Sequence, residues 1–150
     1  MLIGDFMSPP SVARIAPEAS LREAARIFAD SAASDLMVAG DDDRLIGVLS
    51  EGDVIRAVLP DIDEILGAGG SVRDALRVFV QKGEELAHRP ITPYVITEPI
   101  TVTPATHLAE AATILIQKMI RRLPVVNGDV LVGTVSRSDV CRAVLRVSNA

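Results

Sequence analysis

Aromatic side chains are scarce in this chain: three Phe, one Tyr and no Trp among 150 residues. A planar ligand group would have to be held between aliphatic side chains rather than stacked on rings. The single cysteine, Cys141, excludes an internal disulfide and any cysteine-based metal cluster. Two histidines, His88 and His107, are too few for a histidine-rich metal site. No apolar run approaches the roughly 20 residues needed to span a bilayer. The opening MLIGDFMSPP has neither a basic n-region nor a long apolar h-region, so a cytoplasmic location is expected. Basic excess is absent too. A formal charge of −5 disfavours general nucleic-acid binding, which needs a basic surface to displace counterions from phosphates. The acidic run Asp41-Asp42-Asp43 lacks the spacing and terminal Glu of a calcium loop and reads as a solvated turn. With no Gly-rich phosphate loop, metal-ligand cluster or nucleophile–base–acid set, no catalytic residue, no metal and no required cofactor are expected.

What the chain does have is a repeat. Residues 45–59, LIGVLSEGDVIRAVL, and 131–145, LVGTVSRSDVCRAVL, agree at nine of fifteen positions, including Gly47/Gly133, Ser50/Ser136, Asp53/Asp139 and Arg56/Arg142. Upstream, Pro17, Leu21, Glu23, Ala24, Ala25 and Ile27 recur as Pro104, Leu108, Glu110, Ala111, Ala112 and Ile114. Two copies of a unit of about fifty residues are expected to stack, each burying the other's apolar face. A site would then lie in the crevice between them. With 49% hydrophobic residues there is enough apolar material for a core.

Each copy opens with a short strand candidate, Val12–Ile15 or Ile100–Thr103, followed by a proline. Ser20 and Glu23 form a capping signature before an apolar helical face of Leu21, Ala24, Ala25, Ile27 and Phe28. The second copy repeats this with Leu108, Ala111, Ala112, Leu115 and Met119, and Thr106 is its expected N-cap. The runs Leu36–Ala39 and Leu123–Val126 then pair with 45–49 and 130–135 across turns rich in Gly, Asp and Asn. A last helix starts near Ser50 or Ser136. Its expected buried face is Val54, Ile55, Val58 and Leu59, or Val140, Cys141, Val144 and Leu145; Cys141, at the position Ile55 fills, reads as a small core residue. The fold class is α/β (α+β): two β-α-β-β-α units, residues 1–59 and 94–150, joined by a 60–93 linker. Within the linker, Pro60 stops a helix and Gly67, Gly69 and Gly70 make a turn. Ser71 and Asp74 cap an amphipathic helix whose apolar face, including Val72, Leu76 and Phe79, covers either its own module or a partner subunit. So much apolar helical surface predicts a homodimer.

Ser136 and Asp139 stand three apart at a helix start, where side chains and free N–H groups face one cleft. A carboxylate there suits the neighbouring hydroxyls of a ribose, and a hydroxyl can donate to phosphate. Alone, S-x-x-D is a common helix cap. Its recurrence as Ser50 and Asp53, each time behind a Gly-apolar-apolar strand, points to ligand binding. The repeat, the hairpin LPVVNGDVLVG and the G-h-h-S-x-x-D endings (h apolar) closely resemble a tandem pair of cystathionine-β-synthase-type (CBS) domains, a Bateman module, over residues 1–59 and 94–147. That resemblance implies two units packed with pseudo-two-fold symmetry, often paired into a disc-like dimer. It also implies a regulatory module binding an adenosine-containing ligand, AMP, ADP, ATP or S-adenosylmethionine, between the repeats.

Carried over by position, the resemblance assigns Asp139 to the ribose, Ser136, Ser138 and Arg137 to the phosphate end, Thr103 to the adenine edge, and Leu108 and Ile120 to the base. Arg121 and Arg122 match a basic pair that meets phosphates; they read equally as a solvated helix end favoured by the helix dipole. The first copy keeps Ser50 and Asp53 but carries Ser34-Asp35 in place of the arginines, Ala16 for Thr103 and Glu51 for Arg137. A charged nucleotide is therefore expected to prefer the second-copy cleft, although either cleft could receive Arg121 and Arg122. The expectation is a ligand sensor, not an enzyme, acting by a change of shape on an unidentified effector protein. Its rivals are a structural homodimer with empty clefts and a nucleic-acid binder using Arg121, Arg122, Arg137, Arg142 and Arg146.

Overall fold

The computed structural model describes residues 1–146; the last four residues of the expected 94–150 unit lie outside them. The first repeat contains β1 (Arg14–Ile15), α1 (Leu21–Ser31), β2 (Asp35–Ala39), β3 (Leu45–Ser50) and α2 (Glu51–Val58). The linker forms α3 (Ile62–Gly67) and α4 (Val72–Leu86). The second repeat contains α5 (Leu108–Gln117), β4 (Arg122–Asn127), β5 (Val130–Ser136) and α6 (Arg137–Leu145). Strand β1 runs parallel to β2, which pairs antiparallel with β3; β4 pairs antiparallel with β5. Each hairpin has a register shift at the same repeat position, Val38/Ala39 and Val125/Val126. Among the described residues no helix is long and apolar enough to cross a membrane.

The opening strands are shorter than the alternation predicts. Pro10 begins a 3-10 turn through Ala13, leaving Arg14 and Ile15 as β1. In the second repeat Pro104 follows closely, and only Val102 bridges to Val125. Helix α1 starts as read, with Ser20 Oγ accepting from the Glu23 N–H at 3.1 Å. Thr106 does not cap α5. Its Oγ1 accepts from the Thr103 N–H at 3.0 Å, closing a turn one residue early, and His107 is the N-cap. Helix α5 also ends before Met119, whose φ of 55° breaks the spiral and leaves its side chain exposed.

The units interlock by exchange. The N-terminal segment packs on the second repeat: Ser8 exchanges backbone hydrogen bonds with Thr134 at 2.8 and 2.9 Å, and Ile3 lies in the core of Leu108, Leu115, Leu123 and Val135. Reciprocally, the segment entering the second repeat packs on the first. Ile96 exchanges bonds with Val48 at 2.9 and 3.0 Å, and Ile91 lies in the core of Leu21, Phe28, Leu36 and Leu49. A small apolar cluster of Met37, Ala39 and Leu131, flanked by Leu45 and Val48, joins the two hairpins. There the Leu45 N–H donates to the Asp129 carbonyl and the Leu131 N–H to the Asp43 carbonyl. In space each core is completed by the other unit's leading segment, so the two sequence units do not form separate cores.

Glycine is required at each crossing. A Cβ on Gly47 would sit 2.6 Å from Val95 Cγ1, and one on Gly133 would sit 2.9 Å from the Ser8 carbonyl oxygen.

The outer helices depart most from expectation. In α2, α3 and α4 no residue is buried, and Ile55, Leu59, Leu76, Val144 and Leu145 are exposed. Cys141 is exposed as well, not a core residue. The inner face of α6 is used by Asp139 and Ala143 instead. These outward side chains keep the amphipathic period, but nothing among the described residues covers them.

Because the segment carrying Val95 and Ile96 crosses directly over Gly47, Gly47→Ala should cost about 1–3 kcal/mol through forced overpacking. Gly83, in α4 with open space around it, should instead gain about 0.4–1 kcal/mol as Gly83→Ala. Urea unfolding of both variants checks the contrast; equal effects would refute the crossing as a packing constraint.

Candidate ligand-binding cleft

A cavity of about 650 Å³ lies between the repeats. One wall is Val48, Ser50, Glu51, Gly52 and Arg56, from the end of β3 and the start of α2. The facing wall is Lys118–Pro124 of the second repeat, with Ile96, Glu98, Pro99 and Ile100 closing one side and Ser34 and Asp35 the other. Its apolar surface is aliphatic: Val48, Ile96, Ile100, Met119, Ile120 and Leu123. The exchange of leading segments puts Ile96 there, and the early end of α5 turns Met119 into the cavity.

Sequence positions Ser50, Ile120, Arg121 and Arg122 meet at this cavity. Asp53 stands beside it. Ser50 and Asp53 form a reciprocal cap: Ser50 Oγ accepts from the Asp53 N–H at 3.1 Å, and Asp53 Oδ2 accepts from the Ser50 N–H at 3.0 Å and hydroxyl at 2.8 Å. Asp53 Oδ1 takes one donor, Arg56 Nη2 at 2.6 Å, from a largely exposed side chain.

The second-repeat residues assemble differently. Ser136, Arg137 and Ser138 line a smaller cavity of about 230 Å³ with Ala32, Ala33 and Ser34; Arg121 and Arg122 form a wall common to both cavities. Asp139 is shut in, its side chain 0% exposed. Its Oδ2 accepts from the Ser136 N–H at 2.8 Å and hydroxyl at 3.1 Å, while Oδ1 accepts from the Ser8 hydroxyl at 2.7 Å and from Arg142. Every acceptor direction of that carboxylate is engaged within the protein. At the position equivalent to Ser8 the first repeat has Ile96, which has no hydroxyl to give Asp53.

Arg137 lines that smaller cavity with its guanidinium engaged: Nε donates to the Ile120 carbonyl and Nη2 to the Leu115 carbonyl, both at 3.1 Å, capping the end of α5. Thr103 is exposed and held in the Thr106 turn, lining neither cavity. Leu108 is buried in the second core. The arginine pair, a second-repeat feature in sequence, reaches the large first-repeat cavity because β4 begins on the pseudo-two-fold axis opposite β2. Asp35, Ile96, Lys118 and Met119 were not singled out as ligand contacts; the signal available for Asp35 was its repeat equivalence to Arg122.

Asp35 sits on that axis. Its Oδ2 accepts from the backbone N–H groups of Arg121 at 3.3 Å and Arg122 at 3.2 Å. Burial pushes its carboxyl above the ordinary aspartate value, against the opposing pull of those N–H groups and of both guanidinium charges. Arg122 Nη1 donates to the buried Thr134 hydroxyl at 2.7 Å. Burial lowers the pKa of its guanidinium, an effect the Asp139 and Asp35 carboxylates offset. No cluster of potential metal ligands occurs among the described residues.

The family described as CBS domain matches residues 3–60 and 91–146. The chain is similar to two chloroplastic CBS domain-containing proteins of Arabidopsis thaliana. It is 26% identical to CBSX2 over 97% of its length and 28% identical to CBSX1 over 99%, spanning 64% and 66% of those proteins. A crystal structure of CBSX2 in complex with AMP matches with a TM-score of 0.72 at 25% identity, covering 97% of both chains.

The Asp35 shift has a definite sign. The unfolded chain releases this proton near pH 3.9 and the folded protein at higher pH, so the unfolded state binds fewer protons between the two values and stability falls as pH rises through that window. Asp35→Asn, of the same shape but uncharged, should therefore melt higher than the parent at pH 7, with the advantage vanishing as the pH is lowered to about 4. Thermal unfolding across pH tests this; a difference independent of pH would contradict it.

Proposed function

Since the chain belongs to the CBS domain family, carrying two copies in tandem, we propose that it is a regulatory module, not an enzyme, that binds an adenosine-containing ligand in the first-repeat cleft. The observation that carries this is the 650 Å³ cavity bounded by the Ser50 end of α2 and the Arg121–Arg122 segment of the other repeat. The base would lie among aliphatic side chains, Ile96 and Met119 included. The ribose hydroxyls meet Asp53, whose Oδ1 has only the exposed Arg56 as partner. A phosphate lies toward the α2 N-terminus and Arg121. The CBSX2–AMP complex supports an adenine nucleotide as the class of ligand. Occupancy acts through the shared wall: a ligand touching both repeats favours one arrangement of them over another, and that population shift is the signal.

This reading moves the preferred site from the second-repeat cleft to the first. Arg121 and Arg122 line the larger, first cavity as well as the smaller one, and Asp139 has no free acceptor. The uncovered layer of α2, α3, α4 and α6 supports a second copy of the chain as partner, because its apolar side chains keep helical spacing while facing outward.

Asp53→Ala should weaken AMP binding by about tenfold to a hundredfold, the loss of about 1.5–3 kcal/mol for hydrogen bonds to a charged group. Asp139→Ala should instead cost about 1–3 kcal/mol of folding stability by stranding buried donors, with AMP affinity nearly unchanged. Calorimetric titration and urea unfolding of both variants separate these outcomes; a greater loss of affinity in Asp139→Ala would return the site to the second repeat.

Light scattering at micromolar concentration should give a dimer, and Ile55→Arg combined with Leu145→Arg should give a monomer. A parent protein that is monomeric there would rule out the second copy.

A further inference from the structure

The Asp35 carboxylate lines the large cavity and is held there by the backbone of the other repeat. Two consecutive backbone N–H groups, of Arg121 and Arg122, point at one oxygen, Oδ2. Adjacent amides aimed at one point make a pocket for an anion, and here the anion is part of the chain. The charges around the cavity do not favour further negative charge. Its acidic residues are Asp35, Glu51 and Glu98, and its basic ones Arg56, Lys118, Arg121 and Arg122. Arg56 is bound to Asp53, and the Arg122 guanidinium is turned to Thr134 in the direction of the second cleft. Lys118, Arg121 and the turned-away but still felt charge of Arg122 face three carboxylates, so the cavity holds little excess positive charge for further anions. With the phosphate end at Arg121, whose N–H holds Asp35, each phosphate added to a nucleoside would crowd that carboxylate, in a half-buried setting where like charges are screened far less than in water.

We propose that Asp35 is the specificity residue for ligand charge in this cleft: it holds the central anion position and so selects an uncharged or singly phosphorylated nucleoside over di- and triphosphates. The proposal rests on the adenosine reading only for the base. The anion position exists whatever the ligand's other end. Because Asp35 spans from the first repeat to the backbone of the second, the same contact keeps the repeats together while the cavity is empty.

The test compares the parent protein and Asp35→Asn, titrated with adenosine, AMP, ATP and pyrophosphate, with the ¹⁵N-amide resonances of Arg121 and Arg122 as the readout beside calorimetry. The variant should strengthen pyrophosphate and ATP at least about tenfold, AMP less, and adenosine less than about twofold. No gain for pyrophosphate, with the two amides unmoved, overturns the role of Asp35 even if adenosine binds. An equal gain for all four ligands overturns it too. A gain for pyrophosphate in a protein that ignores adenosine upholds Asp35 and refutes the adenosine reading instead. Asp35→Ser, which retains a hydroxyl acceptor for the two amides, gives the same contrast should the asparagine variant fold poorly.

Discussion

The structure depends on one reciprocal contact: the backbone of each unit's leading segment laid against the central strand of the other unit. Ile96 pairs with Val48 over Gly47, and Ser8 pairs with Thr134 over Gly133. Both crossings need a missing side chain, and both deliver apolar residues, Ile91 and Ile3, into a core the local repeat leaves incomplete. A unit of about fifty residues buries too little surface to be stable by itself. Exchange resolves this, since neither core is complete without the other half of the chain. The cavity follows from the same contact: Ile96 arrives at its wall only because the linker returns across β3 before entering the second repeat.

A repeat makes two sites equivalent in outline, and a few side chains make them unequal. At the leading-segment position Ser8 donates to Asp139, whereas Ile96 leaves Asp53 without that donor. At the following position Arg137 caps α5 through two carbonyls, whereas its counterpart Glu51 faces the cavity. On the axis, Asp35 stands opposite Arg122. The Asp139 carboxylate is thereby enclosed by internal hydrogen bonds beside a cavity of about 230 Å³, while Asp53 stands beside one of about 650 Å³. Internal satisfaction of the second carboxylate is a stability feature, whereas the first keeps an oxygen whose partner is the largely exposed Arg56.

The outer layer shows the same logic at the scale of surfaces. Helices α2, α3 and α4 are amphipathic and well capped, by Ser50 with Asp53, Asp61 with Glu64, and Ser71 with Asp74. Capping fixes where such helices begin; it does not provide a surface for their outer faces. Ile55 and Cys141, at equivalent positions and both exposed, mark the side that a single chain leaves open.

Much of this was legible in the amino-acid order. Nine matching positions in fifteen revealed two units. Periodicity and capping pairs placed α1, α2, α4 and α6, and the Gly-Asp and Asn-Gly turns placed both hairpins, because these are local properties that neighbouring residues decide among themselves. Reading the site was harder. Ser50, Ile120, Arg121 and Arg122 do gather at one cavity, yet Thr103, Leu108 and Arg137 are spent on a turn, a core and a helix end. Arg121 and Arg122 line both cavities, because chain order says which unit a residue belongs to, whereas the packing of the two units decides which clefts it reaches. Composition and local pattern determined the units, their elements and the kind of chemistry available. Only the tertiary arrangement, by crossing the leading segments and setting Asp35 against the Arg121–Arg122 backbone, decided how differently two nearly identical clefts are lined, since that outcome rests on contacts between residues about ninety positions apart.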